Sequence, residues 1–448
     1  MWAAWGRRRR VRLSRFKPST QLCRRMCKPF AVERFEKLRI FSIPFVLQNM
    51  PAFHSRTLHR SAFYLRGHTG HKTASLTLVT AVSTSVMRST MSAALLVAAA
   101  LLIPLRPLHA QSSDRVTLNG RTVALYNLVG RLRVTGGGSS VVATITRRGR
   151  DAGKLSVSTR TVEGREALVI KYPGDRVTIP DSRSRRMRTE IRVRDDGSFG
   201  NNYSRNKGRS SFRFNDGRRV RIGDEGGGLE AAADVELQVP TGVSVRLHVA
   251  VGDIDVRNVD GDISVDASGG ELVVSDAKGT ITLETGSGGA ALTNVSGLIT
   301  LETGSGEVTA RNISGQGLII DSGSGGVILD GCACSKVSIE TGSGNLRVTD
   351  MTVRTLSLDT GSGNVVLGLR NSPESVIIDS GSGSVTLTLP ADFTTTLDID
   401  TGSGGITSDF PMQLTSKSRG ETRGAIGSGA GRLTIQTGSG SVRLKKGN

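Results

Sequence analysis

The residues whose type and spacing could do chemistry are carboxylates set against hydroxyls and glycines. Asp321, Asp359, Asp379 and Asp400 each open an Asp-Thr/Ser-Gly-Ser sequence. Aspartic proteases hold two proton-sharing carboxylates in such sequences. Here, however, the same place is taken by Glu284, Glu302 and Glu340, and by Gln436. A catalytic dyad would not be spread over eight interchangeable positions, so proteolysis is excluded. Calcium coordination of the nonapeptide β-roll kind needs an aspartate at a set place after the glycines. The positions that follow hold Gly289, Glu307, Gly326, Asn345, Asn364, Ser384, Gly405 and Ser441, so that site is absent too. A polysaccharide lyase would want clustered acids with basic residues and sugar-stacking aromatics on one face. From residue 235 onward the aromatics are only Phe393 and Phe410, which weakens both a lyase and a lectin.

Three smaller features carry alternatives. Cys332-Ala333-Cys334 reads as two small corner residues, with a local disulfide or a metal pair as the alternatives. His248, between Leu247 and Val249, falls on the polar phase of its strand and is expected to be exposed or at an edge. The arginines from Arg183 to Arg221 read as a solvated loop or as a contact for anionic envelope polymer or lipid headgroups.

The carboxylates belong to a repeat. Thr/Ser-Gly-Ser-Gly recurs with first glycines at Gly286, Gly304, Gly323, Gly342, Gly361, Gly381, Gly402 and Gly438, at intervals of 18, 19, 19, 19, 20, 21 and 36 residues. A period near 20 residues signals stacked units that each meet only their neighbours. Within a unit, a strand such as Ile299–Glu302 runs into the glycine corner and a second strand, Val308–Ala310, follows. Alternation across a strand points Ile299 and Leu301 inward and Glu302 outward. The same phase gives inward pairs Ile281/Leu283, Leu318/Ile320, Val337/Ile339, Leu356/Leu358, Val376/Ile378, Leu397/Ile399 and Leu433/Ile435. The predicted fold is therefore all-β, a parallel β-solenoid with about two strands per 18–21-residue coil, preceded by a small all-β region. Glycine at each corner is expected to take φ > 0, and the corner hydroxyls to bond between coils. Outward stacking would place Glu284, Glu302, Asp321, Glu340, Asp359, Asp379 and Asp400 in one column, a ridge for weak divalent-cation binding. No cofactor and no catalytic residue is expected.

The formal net charge is +20, but its distribution matters more. Residues 1–86 hold 17 Lys/Arg against Glu33 and Glu36. Met87 to Ala110 has a basic start, the apolar run Ala93–Ile103 and a small residue before Gln111, the layout of a secretory signal peptide. That run is shorter than the roughly 20 residues of a membrane span, so no transmembrane anchor is expected in the mature chain. The expected organisation is 1–86 as a spurious or cleaved upstream extension, 87–110 as the signal peptide and 111–180 as an N-terminal β region or cap. A basic Gly/Arg-rich loop would occupy 181–234 and the repeat domain 235–448. Translation would start at Met87 or Met91; a long basic leader such as a transit segment is the alternative. Beyond residue 110 the balance is 40 basic to 37 acidic, which removes the argument for nucleic acid. Lys445-Lys446 would cap one end of the solenoid, and Gly427-Ser428-Gly429 reads as a degenerate corner.

Gly-Asp-Ile-Asp-Val at 252–256, Gly-Asp-Ile-Ser-Val at 261–265 and the repeated Asp/Glu-Thr-Gly-Ser-Gly resemble the bacterial "putative adhesin" family, a β-strand-repeat domain of unknown function. The resemblance covers about 235–448. It implies an exported, envelope-associated protein, periplasmic, surface-bound or extracellular, with a structural or adhesion-type role toward an envelope polymer, surface or protein. It carries no site residues across. A carbohydrate-active β-helix enzyme is the alternative.

Overall fold

The structure is a computed structural model that describes residues 113–180, 188–200, 217–224 and 227–447. They fall within one compact unit, Leu102–Asn448. The upstream extension, the signal segment and the expected cut before Gln111 lie outside the described residues. Among those described, the regular structure is strand apart from one 3-10 turn, Ala152–Lys154, and no helix is long and apolar enough to cross a membrane. The fold is all-β, with long parallel strands stacked in a solenoid-like array.

One sheet of 25 strands holds the repeats. Its first ladder passes through Ile263–Gly269, Lys278–Ser287, the second halves of Ala290–Ser305, Val308–Ser322, Val327–Thr341 and Leu346–Thr360, and then Ser375–Ser380. Every pairing is parallel and in register: Ile281 faces Ile299, which faces Leu318, then Val337, Leu356 and Val376. A second ladder runs beside it through Val308, Val327, Leu346, Val365 and Val385. Side-chain alternation turns these apolar residues inward, and all of them are buried.

A third inward row is a feature that the two-strand reading omitted. Val295, Ile313, Cys332 and Met351 stack on one another and are buried. Just before each stands a left-handed residue: Asn294 at φ 56°, Asn312 at 53°, Gly331 at 75° and Asp350 at 54°. Asn and Asp tolerate this region because their short side chains bond locally. Here the amides also bond between coils, Asn312 Nδ2 to Asn294 Oδ1 at 3.0 Å and Asn294 Nδ2 to Asp276 Oδ1 at 2.9 Å.

Near both ends, strands pair out of chain order. Thr122–Val129 lies between Arg165–Lys171 and Ser244–Val251, and Leu132–Gly136 between Ala232–Val239 and Ile254–Arg257. At the other end Arg432–Thr437 pairs with Ser375–Ser380 on one side and Thr395–Asp400 on the other. Val442–Lys446 likewise lies between Val385–Leu389 and Ile406–Ser408. The last repeat in sequence is therefore internal, and Lys445-Lys446 does not cap the stack. The end is covered by an antiparallel hairpin, Gln413–Ser418 with Glu421–Ile426, the latter pairing with Thr395–Asp400. Gly427 and Gly429, at φ 60° and 73°, form the turn that sends the chain back inside. Within the basic segment, Arg188–Val193 and Arg218–Gly223 pair antiparallel and join Arg176–Thr178 and Leu229–Glu230 in a separate four-stranded sheet.

Candidate functional site

The glycine corners are set by how closely successive coils approach. An ideal Cβ on Gly342 would lie 2.4 Å from the Gly323 carbonyl oxygen, one on Gly361 2.3 Å from that of Gly342, and one on Gly381 2.2 Å from that of Gly361. The expectation of φ > 0 at these positions is corrected: among the first glycines of the corners only Gly402, at 56°, takes it. Glycine is required because the next coil's backbone fills the place of a side chain. Backbone bonds such as Gly361 N–H to the Thr341 carbonyl, 3.1 Å, draw the coils together.

Beside the glycines runs a buried hydroxyl ladder. Thr360 Oγ1 donates to the Gly344 carbonyl at 3.0 Å and accepts from the Gly363 amide at 3.0 Å. Thr341, Ser380 and Thr437 repeat both bonds in their own coils. Thr285 and Thr303 hold the equivalent places but find no hydrogen-bond partner for Oγ1. Their corners differ: the second glycines there, Gly288 and Gly306, sit at φ 131° and 143°, whereas Gly344 and Gly363 have no positive φ.

One residue before each of these hydroxyls, on the outward phase, stands a carboxylate, except before Thr437, where Gln436 takes the place. The pairing places Glu284, Glu302, Asp321, Glu340, Asp359 and Asp379 in successive register. Asp266, which sequence reasoning missed because its corner reads Ala267-Ser268-Gly269, precedes Glu284 in the same column. Asp400 does not follow Asp379. Gln436 stands between them, because the last repeat is inserted there. At the strand spacing of about 4.8 Å, adjacent charges in water repel by about 0.9 kcal/mol before screening. Partial burial, with Asp266 and Glu302 on either side, raises the pKa of Glu284, and burial with Asp379 beside it raises that of Asp359. A shallow cavity of about 300 Å³ opens on the column at Glu284, Glu302 and Asp321, floored by Gly286, Gly304 and Gly323. Among the described residues no group of three or more His, Cys, Asp or Glu converges closely enough to hold a metal ion. The column is a line of charge rather than a chelating cluster.

His248 heads the column. It pairs with Asp266 on one side and with Tyr126 on the other. Its Nδ1 lies 3.4 Å from Asp266 Oδ2, and its ring stacks on Tyr126 with centroids 4.5 Å apart and planes 2° apart. Phe199 meets both rings edge-on. The polar phase expected for His248 holds, but its side chain is only 18% exposed, so the exposed histidine is corrected to one packed in an aromatic cluster. The reason is the strand Thr122–Val129, which lies against it. Cys332 and Cys334 are bonded to each other as a disulfide and both are buried. This replaces the reading as two small corner residues, since both thiols point inward from one strand. Of the Arg183–Arg221 group, Arg219 and Arg221 pair with Glu190 at 3.0 and 3.3 Å.

Comparison with known proteins agrees with the repeat architecture. Residues 235–445 match the family described as Toastrack DUF4097. No curated protein matches the chain. Among solved structures, one from Clostridium sporogenes, described as a "putative cell adhesion protein", covers 75% of this chain and 100% of its own at 12% identity and a TM-score of 0.16. In its repeats, its stacked parallel strands and its glycine corners, the stretch 235–445 is thus similar to the Toastrack DUF4097 family, a domain of unknown function.

Proposed function

We propose that this is an exported, non-enzymatic protein of the bacterial envelope, whose solenoid-like region presents an acidic face to a cationic or divalent-bridged partner. The observation that carries the reading is the unbroken run of seven carboxylates from Asp266 to Asp379 in register on one outward face. Such a run concentrates counter-ions along its length. The buried Cys332–Cys334 disulfide suits an oxidising compartment and supports export. Coils built around close glycine contacts suit a rigid presenting surface rather than a moving active site.

The carbohydrate-active alternative draws on the cavity at Glu284, Glu302 and Asp321, where partial burial and then the neighbouring carboxylates raise the Glu284 pKa. The lining argues against it. Around those acids stand only Ala267, Thr285, Thr303 and three glycines. Elimination from a uronate needs a cation to neutralise the sugar carboxylate and a positioned base, and inversion or retention needs a proton donor set apart from its partner. A uniform line of equivalent acids offers neither.

Thermal unfolding with and without millimolar calcium, at matched ionic strength, tests the acidic face. Calcium is expected to raise the midpoint of the wild type and to have little effect on a protein carrying E302Q, D321N, E340Q and D359N. Equal shifts in both would reduce the column to a solvated face.

A further inference from the structure

We infer that the N-terminal region carries a second binding site, of opposite charge, for a phosphate monoester borne on a small polar group of glycerol or sugar size. The site is a cavity of about 380 Å³ between the first sheet and the four-stranded sheet. That volume lies in the range of small-ligand pockets and exceeds what a bare ion needs. Four cationic side chains, Lys154, Lys171, Arg194 and Arg218, line it against one carboxylate, Asp195.

Three of these cations are held in place by uncharged acceptors. Lys171 Nζ donates to the Asp195 backbone carbonyl at 2.9 Å, Arg194 Nη1 to the Ser198 hydroxyl at 3.1 Å, and Arg218 Nη2 to the Tyr172 carbonyl. Such bonds fix direction without cancelling charge, although Asp196, which accepts from the same Ser198 hydroxyl at 2.6 Å, partly balances Arg194. Lys154 differs, since it meets Asp151 Oδ1 at 2.8 Å. The arrangement contrasts with Arg219 and Arg221 nearby on the same strand, which share Glu190.

The frame is rigid where it needs to be. Arg194 opens a tight turn closed by Gly197 N–H to the Arg194 carbonyl at 2.8 Å and Arg194 N–H to the Ser198 carbonyl at 2.9 Å. Gly197 sits at φ 87°, and a Cβ there would lie 2.6 Å from Val169 Cγ1, so the turn is pressed onto the sheet. Tyr172 is buried at the back, its hydroxyl bonded to the Val129 carbonyl at 2.7 Å. Two guanidinium groups and an ammonium on separate elements can meet the three terminal oxygens of a phosphate ester from different sides, with planar forks suited to that geometry. The site is independent of the acidic face and stands or falls without it.

Calorimetric titration of the full chain with glycerol 3-phosphate tests the site, with inorganic phosphate and phosphatidic acid vesicles as further probes. Binding of glycerol 3-phosphate is expected, weakened roughly tenfold or more in K171Q/R194Q, as loss of charge-assisted bonds implies. K154Q, on an exposed side chain that bonds no core group, should weaken it in a protein of unchanged melting point. R192Q, exposed and outside the cavity, should bind like the wild type. Vesicle binding lost in the same variants would assign the phosphate to a lipid headgroup; binding of the soluble esters without vesicles would assign it to a free or polymer-borne phosphate. No binding of any probe by the wild type, or binding unchanged in both K171Q/R194Q and K154Q, would overturn the proposal.

Discussion

Thr360 and Thr303 occupy the same place in different coils, yet their hydroxyls do different things. Thr360 Oγ1 bridges the Gly344 carbonyl and the Gly363 amide, whereas Thr303 Oγ1 is buried with no partner. Valine has nearly the same shape as threonine. Thr360→Val would strand buried groups, and leaving one such group unmade costs about 1–3 kcal/mol. Thr303→Val removes a hydroxyl that contributes no bond, so its melting point should equal or exceed the wild type's. Melting of the two purified variants checks this, and a larger loss for Thr303→Val would refute the ladder as drawn. The sequence announces hydroxyls at every corner, and bonds between coils could be expected from it. Which hydroxyls are satisfied depends on the corner's backbone path, and Thr303 and Thr360 look alike in one dimension. His248 teaches the same lesson. Its polar phase follows from strand alternation, but its stacking on Tyr126 joins residues 122 apart, which no local pattern records.

At the scale of the coil, the corner glycines show a sound expectation with the wrong cause. Gly342 was expected to need a left-handed backbone, but the conflict lies with the Gly323 carbonyl, 2.4 Å from where a Cβ would stand. A distinct outcome follows. Gly342→Ala should be destabilising although alanine adopts the local φ freely, at about 1–3 kcal/mol for forced overpacking. Gly405→Ala, where a Cβ would meet nothing within 4 Å, should leave the melting point almost unchanged. Equal melting of the two variants would contradict the close stacking. The third row of Val295, Ile313, Cys332 and Met351 was illegible because Val295 and Ile313 stand alone in their coils and only Cys332 and Met351 have a second buried residue, Cys334 and Val353, two positions on. A lone apolar residue after Asn or Asp reads as a turn, since period-2 alternation needs several residues to show itself.

At the scale of the whole repeat array, the order of coils is the main departure from chain order. Because Arg432–Thr437 and Val442–Lys446 each have parallel neighbours on both sides, they should behave as interior coils. Leu433, Ile435, Val442 and Leu444 are fully buried. Native-state hydrogen exchange should find their amides as slow as those of Leu356 and Leu358, while the exposed edge strand Gln413–Ser418 exchanges fastest. Fraying of residues 432–446 together with that hairpin would restore the simple sequential stack. The same insertion explains why Asp400 lies apart from the acidic run, with Gln436 placed between it and Asp379.

The chain by itself determined the all-β class, the inward residues of both main strands and the column from Glu284 to Asp379. All of these follow from alternation within a strand and from a corner repeated at near-constant intervals, so each is local information copied along the chain. Tertiary structure decided the rest. It set the insertion of the last repeat, the seating of Thr122–Val129 against His248 and the gathering of Lys171, Arg194 and Arg218 around one cavity. In a parallel stack any coil with matching inward residues can pair with any other, so register is specified by pattern while neighbour choice is not. That choice is made where hairpins and insertions interrupt the repeat, by which open ladder the returning chain can cover.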